Sequence, residues 1–107
     1  LRAMRHAEEV ARPGMTGGAL DAAARAVIAE AGYGEFFLHG LGHGIGLQVH
    51  EAPSARKEGD DVFVAGMSLT IEPGIYLPDW GGVRIEDLVV FNPTGIVNLT
   101  DAPVLEV

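Results

Sequence analysis

The hydrophobic pattern of this chain changes once, near residue 34, and that change limits the folds open to it. Before it, apolar residues recur at the spacing of amphipathic helices, over residues 1–12 and again over 16–31. After it, short apolar runs alternate with polar residues or end at glycine and proline, which is typical of strands and turns. Two helices followed by a mostly antiparallel sheet is an α+β order. We expect residues 1–107 to belong to one domain.

The turn-forming residues divide this pattern into elements. Pro13-Gly14 ends the first helix, and Gly32 and Gly34 end the second. The segments predicted to be extended are 67–72, 75–77, 83–91 and 96–97, and residues 53–61 are predicted to form a polar loop. On the second helix, Asp21 and Arg25 are placed away from the apolar face.

Residues 39–51, HGLGHGIGLQVHE, carry the strongest chemical signal. Three of the four histidines, His39, His43 and His50, lie here, separated by glycines at 40, 42, 44 and 46. Histidine is the commonest metal ligand, and glycine lets the backbone approach a ligand or another strand closely. A single histidine on a strand is more often structural. Three of them on one glycine-spaced strand favour a functional site.

Two carboxylates extend this candidate site. Glu72 closes an apolar strand in front of the rigid turn Pro73-Gly74, which would hold its carboxylate in place. Glu86 stands on the strand predicted for 83–91. Together with His43 they offer one imidazole and two carboxylates, a donor set that suits Mn, Zn, Co or Fe(II). A set of this kind can hold a catalytic metal and, with further carboxylates, two metals that activate water.

The strand around Glu86 also allows a plainer interpretation. Because strand side chains alternate, Arg84 and Glu86 share one face, and Val83 and Ile85 are expected to face the core. The charged face could simply be solvated, with Arg84 as the salt-bridge partner of Glu86.

Composition excludes several classes of function. The net charge of −8, from 15 acidic and 7 basic residues, argues against binding nucleic acid. The chain has no cysteine, which excludes disulfides and thiolate zinc sites. No apolar run reaches the roughly 20 residues needed to span a membrane. The HExxH, GxGxxG, P-loop and GxSxG motifs are all absent.

Three motifs taken together, HGLGHGIGLQVHEAP, LTIEPGIY and GGVRIEDLVV, resemble the C-terminal half of the pita-bread metallopeptidases. These are the Xaa-Pro aminopeptidases and prolidases. The segment RPGMTGGALDAAARAVIAEAGYG resembles the family's preceding helix, so the resemblance covers nearly the whole chain. Methionine aminopeptidases share a GHGIG-like strand but lack the GGVRIED pattern. The resemblance implies half of a pita-bread fold and a dinuclear-metal peptidase that hydrolyses the peptide bond preceding proline.

The resemblance also implies a metal-ligand set. His43 and Glu72 resemble ligands of one metal, and Glu86 resembles the ligand that bridges both. The implied cofactors are two divalent ions, with manganese favoured and cobalt or zinc as alternatives. None of the chain's aspartates stands in the family's aspartate motif. Because the chain also begins at Leu1, we expect a fragment with an incomplete site that is weakly active or inactive alone.

The remaining site residues resemble groups that act on the substrate. His50 resembles the family's histidine that contacts the substrate and assists proton movement around the tetrahedral intermediate. His39 resembles a second histidine of the substrate pocket, and Arg84 resembles the arginine that fixes the site electrostatically. The implied partner is a proline-containing peptide, with dipeptides and longer peptides both open.

Two further predictions concern the location and the association of the protein, and two alternatives concern its function. We expect a cytoplasmic protein, from the resemblance and the lack of cysteine, and association or homodimerisation through the face that the absent half leaves exposed. One alternative is a non-catalytic module on the same fold that binds a protein or a small molecule. The other is a small acidic domain whose polar strand face packs on a partner.

Overall fold

Two helices precede a set of short strands. The structure is a computed structural model that describes residues 1–104. Helix α1 covers Arg2–Val10 and α2 covers Gly17–Glu30, which confirms both predicted helices, and a 3-10 turn follows at Gly34–Phe36. The strands are β1 (Gly42–Gly44), β2 (Glu51–Ala55), β3 (Ser68–Ile71), β4 (Gly74–Leu77), β5 (Gly81–Arg84), β6 (Asp87–Asn92) and β7 (Gly95–Asn98).

The helices form one layer over the strands. Thr16 caps α2, because its side-chain oxygen accepts a hydrogen bond from the Ala19 amide at 3.1 Å. The buried apolar faces of the two helices pack on each other and on the strands through Ala3, Met4, Ala7, Leu20, Ala24 and Ile28. In the described range, neither helix has the length and apolarity needed to cross a membrane.

The strands form three small antiparallel sheets rather than one. β1 pairs with β2, β4 pairs with β5, and β6 lies between β3 and β7. The predicted antiparallel arrangement is therefore confirmed. Two hydrogen bonds join the first sheet to β3. The Glu72 amide donates to the Leu41 carbonyl at 2.8 Å, and the His43 amide donates to Thr70 Oγ1 at 3.0 Å.

The core lies between the helices and the inner faces of these strands. Phe63 and Phe91 stack at its centre, with ring centroids 4.6 Å apart. β6 alternates as a half-buried strand should, with Val89 and Phe91 inside. Asp87 shares this buried side with them.

The prediction of one continuous strand over 83–91 is wrong, because the structure has two strands there. β5 pairs with β4 and ends at Arg84, whereas β6 begins at Asp87 and pairs with β3 and β7. Residues 85–86 bridge two different sheets, and the apolar run in the sequence hides that break. Val83 is consequently 65% exposed instead of facing the core, while Ile85 packs against the core only in part.

The histidine stretch is also not a single strand. Within it β1 covers only Gly42–Gly44, residues 45–50 form an exposed loop, and β2 begins at the last residue, Glu51. β2 takes up 53–55, the first residues of the predicted polar loop. The β1–β2 register breaks between His43 and Gly44. Glu51 holds the loop, since its Oε2 accepts a hydrogen bond from the Gln48 amide at 3.1 Å.

Candidate metal centre

The ring of His43 is fixed with one nitrogen free. Its Nδ1 lies 3.0 Å from the Gly44 carbonyl oxygen. Because a carbonyl oxygen only accepts, this contact places a hydrogen on Nδ1, so a neutral ring has its lone pair on Nε2. Metal-ligating histidines usually have their second nitrogen held in this way. The free Nε2 points to a ligand role for His43.

Glu72 lies beside that nitrogen. Its Oε2 is 3.8 Å from His43 Nε2, and the His43 and Glu72 side chains are only 19% and 15% exposed. Glu72 follows β3 directly, and its backbone amide is bonded to Leu41 in the segment before β1. The link between the two elements therefore brings the first two predicted ligands together.

The third predicted ligand, Glu86, contacts Glu72. Glu86 is exposed as a residue, but its carboxyl is partly shielded from solvent. This desolvation raises the pKa of Glu86. The negative charge of Glu72 and a hydrogen bond between the two carboxyls raise this pKa further, while Arg84 and His43 lower it. His43, Glu72 and Glu86 are thus neighbours, although they come from three separate segments.

The donor chemistry of this cluster fits a divalent metal. A lone pair on an imidazole nitrogen stands beside two carboxyls, and the charge of Glu72 disfavours the ionisation of Glu86. A cation held between them would remove that penalty. Across residues 1–104, however, no group of three or more His, Asp or Glu side chains is arranged to hold a metal ion unaided. A metal would therefore require the carboxylates to turn or further ligands to join them.

Glycine is required where β1 crosses β3. A Cβ at Gly42 would overlap the Thr70 carbonyl oxygen. Close backbone contact at this position puts the His43 amide within reach of the Thr70 hydroxyl. Gly42 therefore helps to set the distance between the His43 backbone and β3.

His50 lies at the exposed edge of the cluster. It is the last residue of the loop 45–50, and its ring meets the His43 ring edge to face, with centroids 4.4 Å apart. The start of the loop is held by Ser68, whose hydroxyl donates to the Ile45 carbonyl at 2.9 Å. His50 is consequently next to a predicted ligand but open to solvent.

His39 has a different set of neighbours. Its Nδ1 is 2.8 Å from the Gly40 carbonyl oxygen and its Nε2 is 2.7 Å from Tyr76 Oη. The neutral ring therefore carries its hydrogen on Nδ1 and accepts a hydrogen bond from the tyrosine. Its ring edge also meets Phe37. Sequence reasoning missed Tyr76, and the only signal was its position four residues after Glu72.

Arg84 ends β5 opposite Gly74 and is exposed. Its positive charge lowers the pKa of Glu86, against the effect of Glu72. The electrostatic role of Arg84 in the site stays a prediction.

Asp21 and Arg25 were misplaced by the helical pattern. Asp21 is only 1% exposed, not on the outer face of α2. Arg25 Nε lies 2.8 Å from Asp21 Oδ1, and Arg25 Nη2 donates to the His39 carbonyl at 2.9 Å. The spacing of an acid and an arginine four residues apart was the signal available in the sequence.

Comparison with known proteins identifies the family of this chain. Residues 1–93 match the profile of metallopeptidase family M24. The chain is 51% identical over 100 residues to the Xaa-Pro dipeptidase of Pyrococcus furiosus, a match that covers 94% of this chain and 29% of that protein.

Solved structures give the same result. The prolidase from Pyrococcus furiosus superposes with a TM-score of 0.93 at 49% identity, over 95% of this chain and 30% of the prolidase. The X-Pro aminopeptidase from Thermotoga maritima superposes with a TM-score of 0.92 at 47% identity, over 95% and 29%. The chain thus spans less than a third of the length of these relatives.

These matches confirm two expectations from the sequence. The two helices and antiparallel strands correspond to part of the pita-bread fold of the prolidases. The family resemblance, first based on three short motifs, holds over nearly the whole chain. The chain belongs to metallopeptidase family M24.

Proposed function

We propose that this chain supplies one wall of a dinuclear-metal site that hydrolyses the peptide bond preceding proline. The observation that carries the proposal is the contact of His43 with Glu72 and of Glu72 with Glu86. The names of the relatives, Xaa-Pro dipeptidase and X-Pro aminopeptidase, support the choice of substrate. Because the chain spans 29% of the Pyrococcus furiosus relative, we propose that residues outside this segment complete the site.

The three clustered side chains would hold the metal. His43 would bind through its free Nε2, Glu72 through its carboxylate beside that nitrogen, and Glu86 through the carboxylate that contacts Glu72. When bound, two divalent ions would polarise the scissile carbonyl and make water a stronger nucleophile. Manganese is the metal we predict, with cobalt and zinc as alternatives. Arg84 helps to keep Glu86 ionised for ligation because its charge lowers the pKa of that carboxyl.

His50 is suited to move a proton. It is exposed and lies against the His43 ring, so a substrate can reach it beside the predicted ligands. An imidazole accepts and returns protons readily near neutral pH. We assign His50 to proton transfer during collapse of the tetrahedral intermediate, with the proton going to the leaving nitrogen.

We assign His39 to the wall of the substrate pocket rather than to proton transfer. Both of its ring nitrogens are occupied, one by the Gly40 carbonyl and one by the Tyr76 hydroxyl. His39 and Tyr76 present a fixed aromatic surface, and the buried Phe37 ring supports it from behind. We propose that this surface forms part of the pocket for the substrate.

A chimera tests the proposal in a protein of full length. Residues 1–104 replace the matching segment of the Pyrococcus furiosus Xaa-Pro dipeptidase, and hydrolysis of Xaa-Pro and Xaa-Ala dipeptides is measured with Mn²⁺. We expect cleavage of the proline substrate, reduced about 10²- to 10⁴-fold in kcat by His50→Ala. The matched control is His6→Ala on α1, which is expected to retain activity. A folded chimera that binds Mn²⁺ yet cleaves neither substrate would refute the proposed activity.

The isolated 107-residue chain provides the complementary test. We expect weak or absent turnover of proline dipeptides and tripeptides with Mn²⁺ or Co²⁺, because the three ligands do not form a metal site unaided in residues 1–104. Robust turnover would show that the site needs no ligands from outside the chain.

A further inference from the structure

Arg25 is the centre of a hydrogen-bond network that the proposed chemistry does not use. Its Nε and Nη2 atoms bind the two oxygens of Asp21 at 2.8 and 3.1 Å. Its Nη1 donates to the Phe37 carbonyl at 2.8 Å, and Nη2 also donates to the His39 carbonyl at 2.9 Å. One guanidinium therefore joins α2 to two alternate residues of the segment that leads into β1.

Asp21 completes the network from the other side. Its Oδ2 accepts a hydrogen bond from the Leu41 amide at 3.0 Å. Asp21 is almost fully buried, and burying a carboxylate is costly unless it is paired and hydrogen-bonded. The Arg25 guanidinium supplies that pairing and lies 4.1 Å from the centroid of the Phe37 ring.

The two side chains together fix the backbone at residues 37, 39 and 41. His39 lies in the middle of this segment, and its ring reaches Tyr76 on β4 through a hydrogen bond of 2.7 Å. A shift of the backbone at residue 39 would move the ring and lengthen or break this bond. The network on α2 therefore sets where the His39 ring stands.

We infer that Asp21 and Arg25 are positioning residues for His39, which they place against Tyr76 through three backbone hydrogen bonds. Their importance for substrate binding rests on the pocket role of His39 in the proposed function. Their action on the His39 ring does not, and it can be measured without substrate.

A lysine variant separates positioning from simple charge pairing. Arg25→Lys keeps the positive charge beside Asp21 but cannot reach both carbonyls with a planar fork of donors. If the pair were only an ion pair, lysine would preserve it. Positioning predicts that lysine does not restore the place of the His39 ring.

Nitrogen NMR of the ¹⁵N-histidine-labelled chain reports the ring directly. In the unmodified chain we expect His39 to show one tautomer, with hydrogen on Nδ1. In Arg25→Lys we expect its two nitrogen signals to move toward the average of a ring with mixed tautomers. His43, held by Gly44 and Thr70, should keep its signals. The control Arg12→Lys, at an exposed arginine, should change neither histidine.

Unchanged His39 signals in Arg25→Lys would overturn the inference, and so would equal changes at His39 and His43. If the lysine variant does not fold, Asp21→Asn, which preserves size, replaces it with the same expectations. A further measurement needs no variant: the Nη protons of Arg25 should exchange with water more slowly than those of Arg12. Equal exchange rates would contradict the network.

The chimera described above then tests the consequence for function. Arg25→Lys is expected to lower kcat/KM for the proline dipeptide about 10- to 100-fold, chiefly through KM. An unchanged KM alongside displaced His39 signals would refute the pocket role of His39 while leaving the positioning intact.

Discussion

Single residues in the β1 region act through close backbone contact as much as through side-chain chemistry. His43 is held by its neighbours on both sides: its amide is bonded to Thr70 and its Nδ1 to Gly44. The bond to Thr70 can form because Gly42 lets β1 lie against the Thr70 carbonyl. The glycine thus contributes to the candidate site although it bears no functional group.

Gly42→Ala is expected to lower the free energy of unfolding by about 1 to 3 kcal/mol, since the added methyl group must displace the Thr70 backbone. Urea denaturation of the chain measures the change. The matched control is Gly95→Ala at the start of β7, where a Cβ would meet only the Ala11 carbonyl oxygen at 3.9 Å. Equal stability of the two variants would show that the contact at Gly42 is not tight.

The proposed ligands could be recognised in the sequence, but the residues that position the candidate site could not. His43, Glu72 and Glu86 could be recognised because each stands in a dense local motif. Asp21 and Arg25 could not, because their partners, the backbone groups of residues 37, 39 and 41, lie 12 to 20 positions away along the chain. A helical pattern places charged residues outside by default, and only tertiary contacts show that Asp21 is buried.

At the scale of elements, a polar cluster joins α1 to β6 and β7. Asn98 Nδ2 donates to Asp87 Oδ2 at 2.8 Å and lies 3.4 Å from Glu8 Oε1. The pKa of Glu8 is raised to about 7, chiefly by desolvation and further by the hydrogen bond and charge of Asp87. The charge of Arg5 acts in the opposite direction. Glu8 therefore keeps its proton at this junction to a higher pH than an ordinary glutamate does.

This junction predicts a pH dependence of stability. The folded chain retains a proton on Glu8 that the unfolded chain loses near pH 4.5. The stabilisation that this proton gives the folded chain is therefore fully present below that pH. It is lost as the pH rises through about 7. In the unmodified chain we expect the free energy of unfolding to fall by about 1 to 2 kcal/mol between pH 5 and 8, and we expect Glu8→Gln to remove this fall. The amount allows for solvent screening of a partly exposed carboxyl.

Chemical denaturation at both pH values measures this difference, with Glu9→Gln at the adjacent exposed position as the control. Parallel stability curves for Glu8→Gln and the unmodified chain would show that Glu8 is not protonated in the fold.

Most elements could be predicted from the sequence, and the exceptions have one physical cause. The helices and the strands near 68–71, 74–77 and 95–98 follow from hydrophobic period and turn residues. The break at residues 85–86 does not, because the apolar alternation continues across it while the pairing partner changes from β4 to β3 and β7. Pairing between strands distant in sequence leaves no mark in a local pattern.

At the scale of the whole molecule, large apolar side chains are exposed around the candidate site. In the loop before His50, Leu47 is fully exposed and Val49 is 74% exposed. Trp80 and Val83, at the β4–β5 hairpin, are 80% and 65% exposed. Apolar surface of this extent usually contacts another surface.

We therefore predict that the isolated chain associates with itself in a concentration-dependent way. The double variant Leu47→Ser, Val49→Thr is expected to shift sedimentation velocity profiles toward the monomer. Leu99→Ser, at an exposed leucine near β7, is the control and should leave the profiles unchanged. Profiles that show a monomer for the unmodified chain at all concentrations would contradict the prediction.

The central claim is that His43, Glu72 and Glu86 jointly hold a divalent metal, and calorimetric titration of the chimera with Mn²⁺ tests it most directly. The account predicts binding that Glu86→Gln weakens by more than the roughly 10- to 100-fold expected for loss of an outer-shell partner. Glu9→Gln should bind Mn²⁺ as the unmodified chimera does. A folded chimera that binds no Mn²⁺, or binds it equally well after Glu86→Gln, would contradict the account and favour a non-catalytic binding module.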